Sequence, residues 1–144
     1  MYRLKQSTAE DAEFAYHALK TTMREFAMQT WGVWLDEEAK KDAAHATQSG
    51  KVQIIYVDEV KVGTLQYVET ESEIIVKQLY LLPAYQNQGI GGAIMNDLQK
   101  RAIELKLPIE LSVLQVNSAK EFYLKKGFFV KLETAERIRM RYEP

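Results

Sequence analysis

The feature that most constrains this chain is residues 79–92, where an apolar strand meets a helix through a glycine-rich loop. The segment reads LYLLPAYQNQGIGG: its apolar run stops at Pro83, and Gly89, Gly91 and Gly92 lead into an amphipathic helix. Backbone N–H groups in such a loop, together with the positive end of the helix dipole, favour binding of an anion. Glycine also lets the main chain come close to a ligand. The segment is therefore a candidate phosphate-binding loop.

Composition limits the classes of protein to which the chain can belong. Its 144 residues suffice for one domain with its own core, and we expect residues 1–144 to form that domain. A net charge of −1 does not favour nucleic acid as a partner. The absence of cysteine excludes disulfides, thiolate metal sites and a cysteine nucleophile. Because no signal peptide or membrane-length apolar run is present, we expect a cytoplasmic protein without a membrane partner.

The first fifty residues are predicted to contain one strand and two helices. Tyr2–Gln6 alternates weakly between apolar and polar residues, as a short strand does. Apolar residues then recur at helical spacing to about residue 27, and Gly32 breaks the pattern. Asp36 is the predicted cap of a second helix that fades near residue 50.

The rest of the chain alternates between strand and helix patterns. The predicted strands are Val52–Val57, Lys61–Thr70, Ile74–Leu82 and Ile109–Val116; helices follow the glycine loop up to Pro108 and span Ser118–Lys126, and a hairpin starts at Phe128. The order is β-α-α-β-β-β-α-β-α-β-β. It predicts an α/β (α+β) fold: a single domain with a mixed central sheet flanked by about four helices.

The glycine loop alone does not say which phosphate it binds. A dinucleotide fingerprint would need a glycine where Ile94 stands, and a Walker loop would need Gly-Lys-Ser/Thr, which is absent. The strand-rich order also disfavours a Rossmann-like nucleotide-binding domain. Both nucleotide interpretations are therefore weak.

A second motif, in residues 116–128, narrows the choice. This segment reads VNSAKEFYLKKGF and places Asn117, Tyr123 and Gly127-Phe128 at fixed spacing. Together with Gln86-x-x-Gly89-x-Gly91, it resembles the pyrophosphate loop and second motif of the GCN5-related N-acetyltransferase (GNAT) superfamily. The resemblance covers the whole chain in element order. Thr30-Trp31-Gly32 also resembles a bacterial subgroup of small members.

The resemblance implies that acetyl-CoA is the cosubstrate and that no metal is used. Amides of the glycine loop would hold the pyrophosphate, while the preceding strand and an asparagine would bind the pantetheine arm. The cofactor-binding residues implied in this way are Leu79, Tyr80, Leu81, Gln86, Asn87, Gln88, Gly89, Ile90, Gly91, Gly92 and Asn117.

The same resemblance implies a catalytic role for two residues. The backbone N–H of Leu81 would polarise the acetyl carbonyl, and Tyr123 would protonate the leaving thiolate as general acid. The competing interpretation is that Tyr123 only fills the inner face of its helix beside Phe122. Since there is no cysteine, we expect direct attack of an amine on the thioester rather than a covalent acetyl-enzyme.

The acceptor side is less well defined. Trp31 and Trp34 lie where the family builds this side of its cleft, and with Glu37 they would suit a cationic amine that has an apolar part; packing onto the sheet explains the tryptophans equally well. The two histidines, His17 and His45, have no metal-ligand spacing. Candidate general bases are Glu37, Glu38, Glu69, Glu71 and Glu73.

The leading hypothesis is an enzyme that transfers an acetyl group from acetyl-CoA to a primary amine of a small molecule, peptide or protein. The alternative is a non-catalytic acyl-CoA-binding or regulatory domain on the same fold. Either could be a monomer or a homodimer, and neither needs a metal, nucleic acid or a membrane.

Overall fold

The computed structural model describes all residues, 1–144, as eleven regular elements and two short 3₁₀ turns. The helices are α1 (Ala12–Trp31), α2 (Asp36–Gln48), α3 (Ile90–Leu105) and α4 (Ala119–Lys125). The strands are β1 (Tyr2–Gln6), β2 (Gln53–Val57), β3 (Val60–Glu69), β4 (Ile74–Leu81), β5 (Ile109–Leu114), β6 (Phe129–Glu133) and β7 (Arg137–Tyr142). The 3₁₀ turns are Ala9–Asp11 and Pro83–Tyr85.

The seven strands form one mixed sheet in the order β1-β2-β3-β4-β5-β7-β6. Strands β4 and β5 run parallel, and their register pairs Ile74 with Ile109 and Ile75 with Glu110. The pairs β1–β2, β2–β3, β5–β7 and β6–β7 are antiparallel. The predicted fold class, with a mixed sheet and four helices in the predicted order, is confirmed.

The chain divides into two compact units, which are described separately. The first comprises residues 1–66 and 78–91, and the second comprises residues 67–77 and 92–144. In the first unit, α1 packs against α2, and both helices bury alanines, among them Ala18 of α1 and Ala43 of α2. The most buried apolar strand residues of this unit are Ile54, Ile55, Val62 and Leu65.

The second unit is built on α3, α4 and the strands β5, β7 and β6. Its apolar core includes Ile94, Met95, Ala102, Ile109, Ile138 and Met140, all fully buried. Glu110 is also buried, and its carboxylate receives hydrogen bonds from Lys131, Arg139 and Arg141 at 3.1–3.4 Å. A buried carboxylate is tolerated here because several cations compensate it.

One detail near the first helices differs from expectation. α1 ends at Trp31 and is followed by the left-handed Gly32 (φ 74°), the glycine at which the sequence pattern breaks. Asp36, the predicted cap of the second helix, is instead the first residue of α2, and Leu35 occupies the cap position. The Asp36 carboxylate instead accepts hydrogen bonds from the Tyr16 hydroxyl and from Trp34 Nε1. These tertiary contacts determine where the carboxylate lies, and they cannot be predicted from a helix-capping motif.

None of the four helices has both the length and the apolar character needed to span a bilayer.

Candidate active site

Gly63 of β3 has no room for a side chain beside β4, where the predicted cofactor residues begin. A Cβ at Gly63 would stand 2.1 Å from the carbonyl oxygen of Tyr80 and 3.0 Å from a methyl group of Leu81. Leu82 N donates to Val62 O at 2.9 Å. Main-chain groups alternate in direction along a strand, so the N–H groups of Leu79 and Leu81 point away from β3, towards the other edge of β4.

The loop after β4 is held in shape by its own side chains. After the 3₁₀ turn at Pro83–Tyr85, the main chain becomes left-handed at Asn87 (φ 60°) and Gly89 (φ 85°), and α3 then begins at Ile90. Gln86 Nε2 donates to Leu81 O at 2.9 Å, and Gln88 Nε2 donates to Ala84 O at 2.7 Å. Both glutamine side chains thus stabilise the loop itself.

The surroundings of this loop suit an anion. Residues 86–89 are exposed, and residues 78–96 include no aspartate or glutamate, although the chain has 20 acidic residues. No heavy atom lies within 4 Å of the place where a Cβ of Gly89 would be. The N–H groups of the first turn of α3 have no partners within the helix. The loop and the first turns of α3 therefore contribute no carboxylate of their own, and the main chain at Gly89 is not covered by a side chain.

Further along α3, the end of α4 is attached to this helix. Lys126 Nζ donates to Asn96 Oδ1 at 2.6 Å and to Gly92 O at 3.3 Å. Gln99 Nε2 donates to the carbonyl oxygen of Lys126 at 2.6 Å. The positive charge of Lys126 is thus fixed beside the first two turns of α3, in the second unit.

Tyr123 belongs to an aromatic cluster in the second unit. Its side chain is only 7% exposed, and its ring makes edge contacts with Phe122 (centroids 5.0 Å apart) and Phe128 (5.4 Å). Phe128 in turn lies 5.6 Å from the ring of Tyr142. The left-handed Gly127 (φ 90°) turns the chain so that Phe128 N donates to Tyr123 O at 3.0 Å. The predicted Gly127-Phe128 motif therefore fixes the backbone and ring of Tyr123.

Asn117 lies at the start of α4, six residues before Tyr123. Its Oδ1 accepts a hydrogen bond from Ala119 N at 2.9 Å and so holds the first turn of the helix. Because Oδ1 is used in this way, the side chain has the N–H groups of Nδ2 to offer to a ligand. Asn117 and Tyr123 are thus placed by one short helix in the second unit, whereas Leu79 to Gly91 lie in the first.

The candidate general bases have different surroundings. Glu69 receives two hydrogen bonds from Arg101, at 2.8 and 3.2 Å. The hydrogen bond from Arg101 holds the pKa of Glu69 below its usual value, which makes it a weaker base. Glu37 forms an ion pair with Lys40 at 3.6 Å. Glu38 and Glu71 are exposed, and Glu73 is half-buried.

The predicted acceptor residues lie at the junction of α1 and α2. Trp31 is 45% exposed, and Trp34 is half-buried. Asp36 fixes Trp34 through Nε1 at 2.9 Å. Hydrogen bonds from Tyr16 and Trp34, aided by two nearby lysines, lower the pKa of Asp36 to about 2. Trp34 is therefore positioned by a carboxylate that stays ionised.

The structure also has a partly polar cavity that the sequence patterns did not predict. It has a volume of about 150 Å³ and lies in the first unit, between α1, α2 and the sheet. Asp42, Gln66 and Gln78 contribute its polar lining. These residues belong to three separate elements and form no motif, so only the tertiary structure brings them together.

Comparison with known proteins identifies the family. The model of the acetyltransferase (GNAT) domain matches residues 48–130, more than half of the chain. A search of curated protein sequences found no significant match.

Solved structures share the fold at low sequence identity. An acetyltransferase from Thermus thermophilus superposes with a TM-score of 0.78 at 14% identity, covering 100% of this chain and 97% of the other. The PaiA N-acetyltransferase of Thermoplasma acidophilum was solved in complex with coenzyme A. It superposes with a TM-score of 0.75 at 18% sequence identity, covering 100% of this chain and 99% of the other. Ard1 of Thermoplasma volcanium superposes with a TM-score of 0.71 at 16% sequence identity, covering 99% of this chain and 97% of the other. Because the family model spans more than half of the chain, including β4, the glycine loop, α3 and the segment with Asn117 and Tyr123, this chain belongs to the acetyltransferase (GNAT) domain family.

Proposed function

We propose that the protein is an acetyl-CoA-dependent N-acetyltransferase that transfers the acetyl group directly to a primary amine. The observation that carries the proposal is the exposed loop of residues 86–89. It is free of acidic residues, left-handed at Asn87 and Gly89, and leads into the N-terminus of α3. It lies inside the segment that matches the family domain. A related fold solved with coenzyme A supports the assignment of the ligand.

Main-chain groups do most of the cofactor binding in this proposal. The amides of residues 86–92 bind the pyrophosphate, each with a charge-assisted hydrogen bond of about 1.5–3 kcal/mol. Leu79 and Leu81 have N–H groups on the edge of β4 that faces away from β3, where an extended pantetheine arm can pair with them. Asn117 donates to the same arm through Nδ2.

Acetyl-CoA supplies an activated thioester, and the residues of the chain assist its aminolysis. The amine nitrogen, after losing a proton to a base or to water, attacks the acetyl carbonyl carbon. A C–N bond forms, the C–S bond breaks, and Tyr123 Oη gives its proton to the sulfur. The nitrogen, positively charged after its attack, loses its second proton, and this proton returns to the Tyr123 phenolate directly or through water. The N–H of Leu81 stabilises the negative charge that develops on the carbonyl oxygen.

One observation favours the alternative, a domain that binds acyl-CoA without catalysis. Tyr123 is buried between Phe122 and Phe128, as a residue with only a packing role would be. The two functions differ in turnover, not in binding. We therefore propose measuring acetyl-CoA binding by calorimetry and release of free thiol with a panel of primary amines.

Binding together with amine-dependent thiol release and formation of the N-acetyl product supports the transferase. Binding without turnover on a broad panel identifies the non-catalytic domain. Absence of acetyl-CoA binding overturns both.

Trp31, Trp34 and Glu37 stay candidates for the acceptor side. The exposed ring of Trp31 can contact an apolar part of an amine, and Glu37 can attract its charge. Trp31→Ala is expected to raise the KM for the acceptor and to leave acetyl-CoA binding unchanged. An unchanged acceptor profile would remove these residues from the proposal.

A further inference from the structure

The cavity between α1, α2 and the sheet is lined by both polar and apolar side chains. Asp42 and Ala46 of α2 and Leu19 of α1 contribute to its helical side, while Gln66 of β3 and Gln78 of β4 contribute to its sheet side. All belong to the first unit. Its volume of about 150 Å³ is that of a cavity that can hold a molecule of roughly six non-hydrogen atoms.

The glutamines are fixed by hydrogen bonds to each other and to the sheet. Thr64 Oγ1 donates to Gln78 Oε1 at 3.0 Å, and Gln78 Nε2 donates to Gln66 Oε1 at 3.2 Å. Thr64 is fully buried, and both glutamines are half-buried. A carbonyl oxygen has two lone pairs, so each glutamine oxygen can accept one more hydrogen bond.

Charge decides the class of ligand. Asp42 is the only charged residue that lines the cavity, and it is exposed, at the solvent side. One carboxylate and two amide oxygens give acceptors for the three N–H groups of a primary ammonium. The alanine side chains and Leu19 offer an apolar surface for a short alkyl chain. An anionic ligand would meet the Asp42 carboxylate and is disfavoured.

We infer that this cavity binds a small primary ammonium ion and that short alkylamines are an acceptor class of this protein. The identification as an acceptor site rests on the proposed function, whereas the binding of the ion does not. Gln78 immediately precedes Leu79, the first residue proposed to pair with the pantetheine arm, so the cavity and the cofactor strand share β4.

This site is distinct from the tryptophan pair. Leu19 and Trp31 lie on the same helix, and at 1.5 Å per residue they are about 18 Å apart along its axis. A ligand of six non-hydrogen atoms cannot reach both. Variants of Asp42 and of Trp31 therefore test different proposals.

The test is titration of the full chain with n-propylammonium chloride, without acetyl-CoA, followed by the side-chain amide signals of Gln66 and Gln78 in ¹H–¹⁵N NMR spectra. Asp42→Asn is expected to weaken binding about tenfold, because the amide oxygen still accepts a hydrogen bond but the attraction of the carboxylate for the ammonium charge is lost. Ala46→Leu, which fills the cavity without changing charge, is expected to abolish binding. Glu13→Gln removes an exposed carboxylate of α1 that does not line the cavity and serves as the matched control.

The outcomes distinguish specific binding in the cavity from nonspecific attraction of a cation to surface carboxylates. Weakening by Asp42→Asn and by Ala46→Leu, with no effect of Glu13→Gln and no shift with 1-propanol, supports the inference. Absence of binding to the wild-type chain, equal binding by all variants, or loss with Glu13→Gln alone overturns it. A cavity filled by water alone would give the first of these results.

A second measurement separates this inference from the proposed function. With propylamine as acceptor, Asp42→Asn is expected to raise the KM about tenfold, consistent with the weaker binding, while acetyl-CoA affinity is unchanged. Thiol release with other amines but no effect at the cavity leaves the proposed function intact and the inference wrong. Ammonium binding at the cavity without any thiol release leaves the site intact and its role as an acceptor site wrong.

Discussion

The loop after β4 and the cavity beside α2 both belong to the first unit, but they are built from different atoms. The loop presents main-chain N–H groups, and its side chains Gln86 and Gln88 are used to hold its own backbone. The cavity presents side chains from three elements, Asp42, Gln66 and Gln78. A main-chain site depends on backbone angles and on the absence of repelling charge, whereas a side-chain site depends on residue identity.

This difference predicts how each region responds to substitution. At the loop, a change that keeps the backbone and adds no negative charge is expected to be tolerated. At the cavity, an isosteric change of a single side chain is expected to alter binding. Asp42→Asn and Ala46→Leu test the cavity. The following variants test main-chain and side-chain sites elsewhere in the molecule, beginning with the largest expected effect.

Gly89→Asp is expected to weaken acetyl-CoA binding by about 100-fold or more. A carboxylate at this position would face the pyrophosphate, and like charges about 4 Å apart near a protein surface repel by several kcal/mol. Gly89 also has a φ of 85°, so any side chain adds some strain. Calorimetric titration of each variant with acetyl-CoA measures the effect.

Gly89→Asn is the matched control, because it adds a similar side chain at the same backbone angle without charge. We expect it to weaken binding by much less than the aspartate. Equal losses in the two variants would mean that backbone shape alone controls the site, and retained affinity in both would contradict the loop assignment.

Tyr123→Phe is expected to lower kcat by about 100-fold, the lower end of the usual contribution of a general acid. The phenylalanine ring keeps the edge contacts with Phe122 and Phe128, so the fold is expected to persist. If the cofactor is bound mainly by main-chain atoms, the dissociation constant for acetyl-CoA stays the same. Unchanged kcat would show that another group or water protonates the thiolate and that Tyr123 has only a packing role.

Gly63→Ala, a change in β3, tests whether the main-chain groups of the neighbouring strand β4 must keep their position. The new Cβ would overlap the carbonyl oxygen of Tyr80, 2.1 Å away, and a backbone atom cannot move aside as a flexible side chain can. Such overpacking is expected to lower the free energy of unfolding by about 1–3 kcal/mol. Because β4 must shift, the N–H groups of Leu79 and Leu81 move as well, and weaker acetyl-CoA binding is expected. Urea unfolding and calorimetry measure the two effects.

Gly92→Ala provides the comparison for stability. Its nearest neighbour would be Lys126 Nζ at 3.5 Å, an ordinary contact, and alanine is favoured over glycine in a helix by about 1 kcal/mol. We expect this variant to be at least as stable as the wild type. Equal destabilisation by both alanines would show that the close approach of β3 and β4 is not the cause.

The same contrast explains what the sequence could predict. Element order, the end of α1 at Gly32 and the final hairpin follow from local signals: glycine, periodicity and β-branched residues. The left-handed residues of the loop also have local causes, since Gly89 and Asn87 both tolerate positive φ. The sequence alone therefore suffices to propose the loop as an anion site.

Side-chain clusters assembled from distant elements could not be predicted. Gln66 and Gln78 become neighbours only because β3 and β4 lie side by side, and Asp42 reaches the same cavity from α2. Glu110 sits in a strand pattern that could face either way, yet it is buried and neutralised by three cations. Asp36 was predicted to be a helix cap from its neighbours in sequence. Its carboxylate instead binds the hydroxyl of Tyr16, twenty residues earlier, which no local pattern indicates.

The hydrogen-bonded group of Tyr16, Trp34 and Asp36 gives the smallest expected effect. It tests whether a site made of side chains depends on the identity of each residue. The pKa of Asp36 is lowered from 3.8 to about 2, chiefly by the hydrogen bond from Tyr16 and then by that from Trp34. Since the folded pKa is below the unfolded one, the stabilisation is fully present above about pH 4 and is lost as the pH falls towards 2. Titration of the Asp36 carboxyl carbon by NMR measures the folded pKa directly.

Tyr16→Phe removes the first of these donors and is expected to raise the pKa of Asp36 more than Trp34→Phe does, because the Tyr16 hydrogen bond is the larger cause of the shift. In urea unfolding, the difference in stability between wild type and Asp36→Asn should shrink as the pH is lowered from about 5 to about 3. A midpoint near 3.8 in the wild type, the ordinary value for an aspartate, would mean that these hydrogen bonds do not favour the carboxylate. Trp34 would then be held by packing alone, and the junction of α1 and α2, like the loop after β4, would tolerate changes of side-chain polarity.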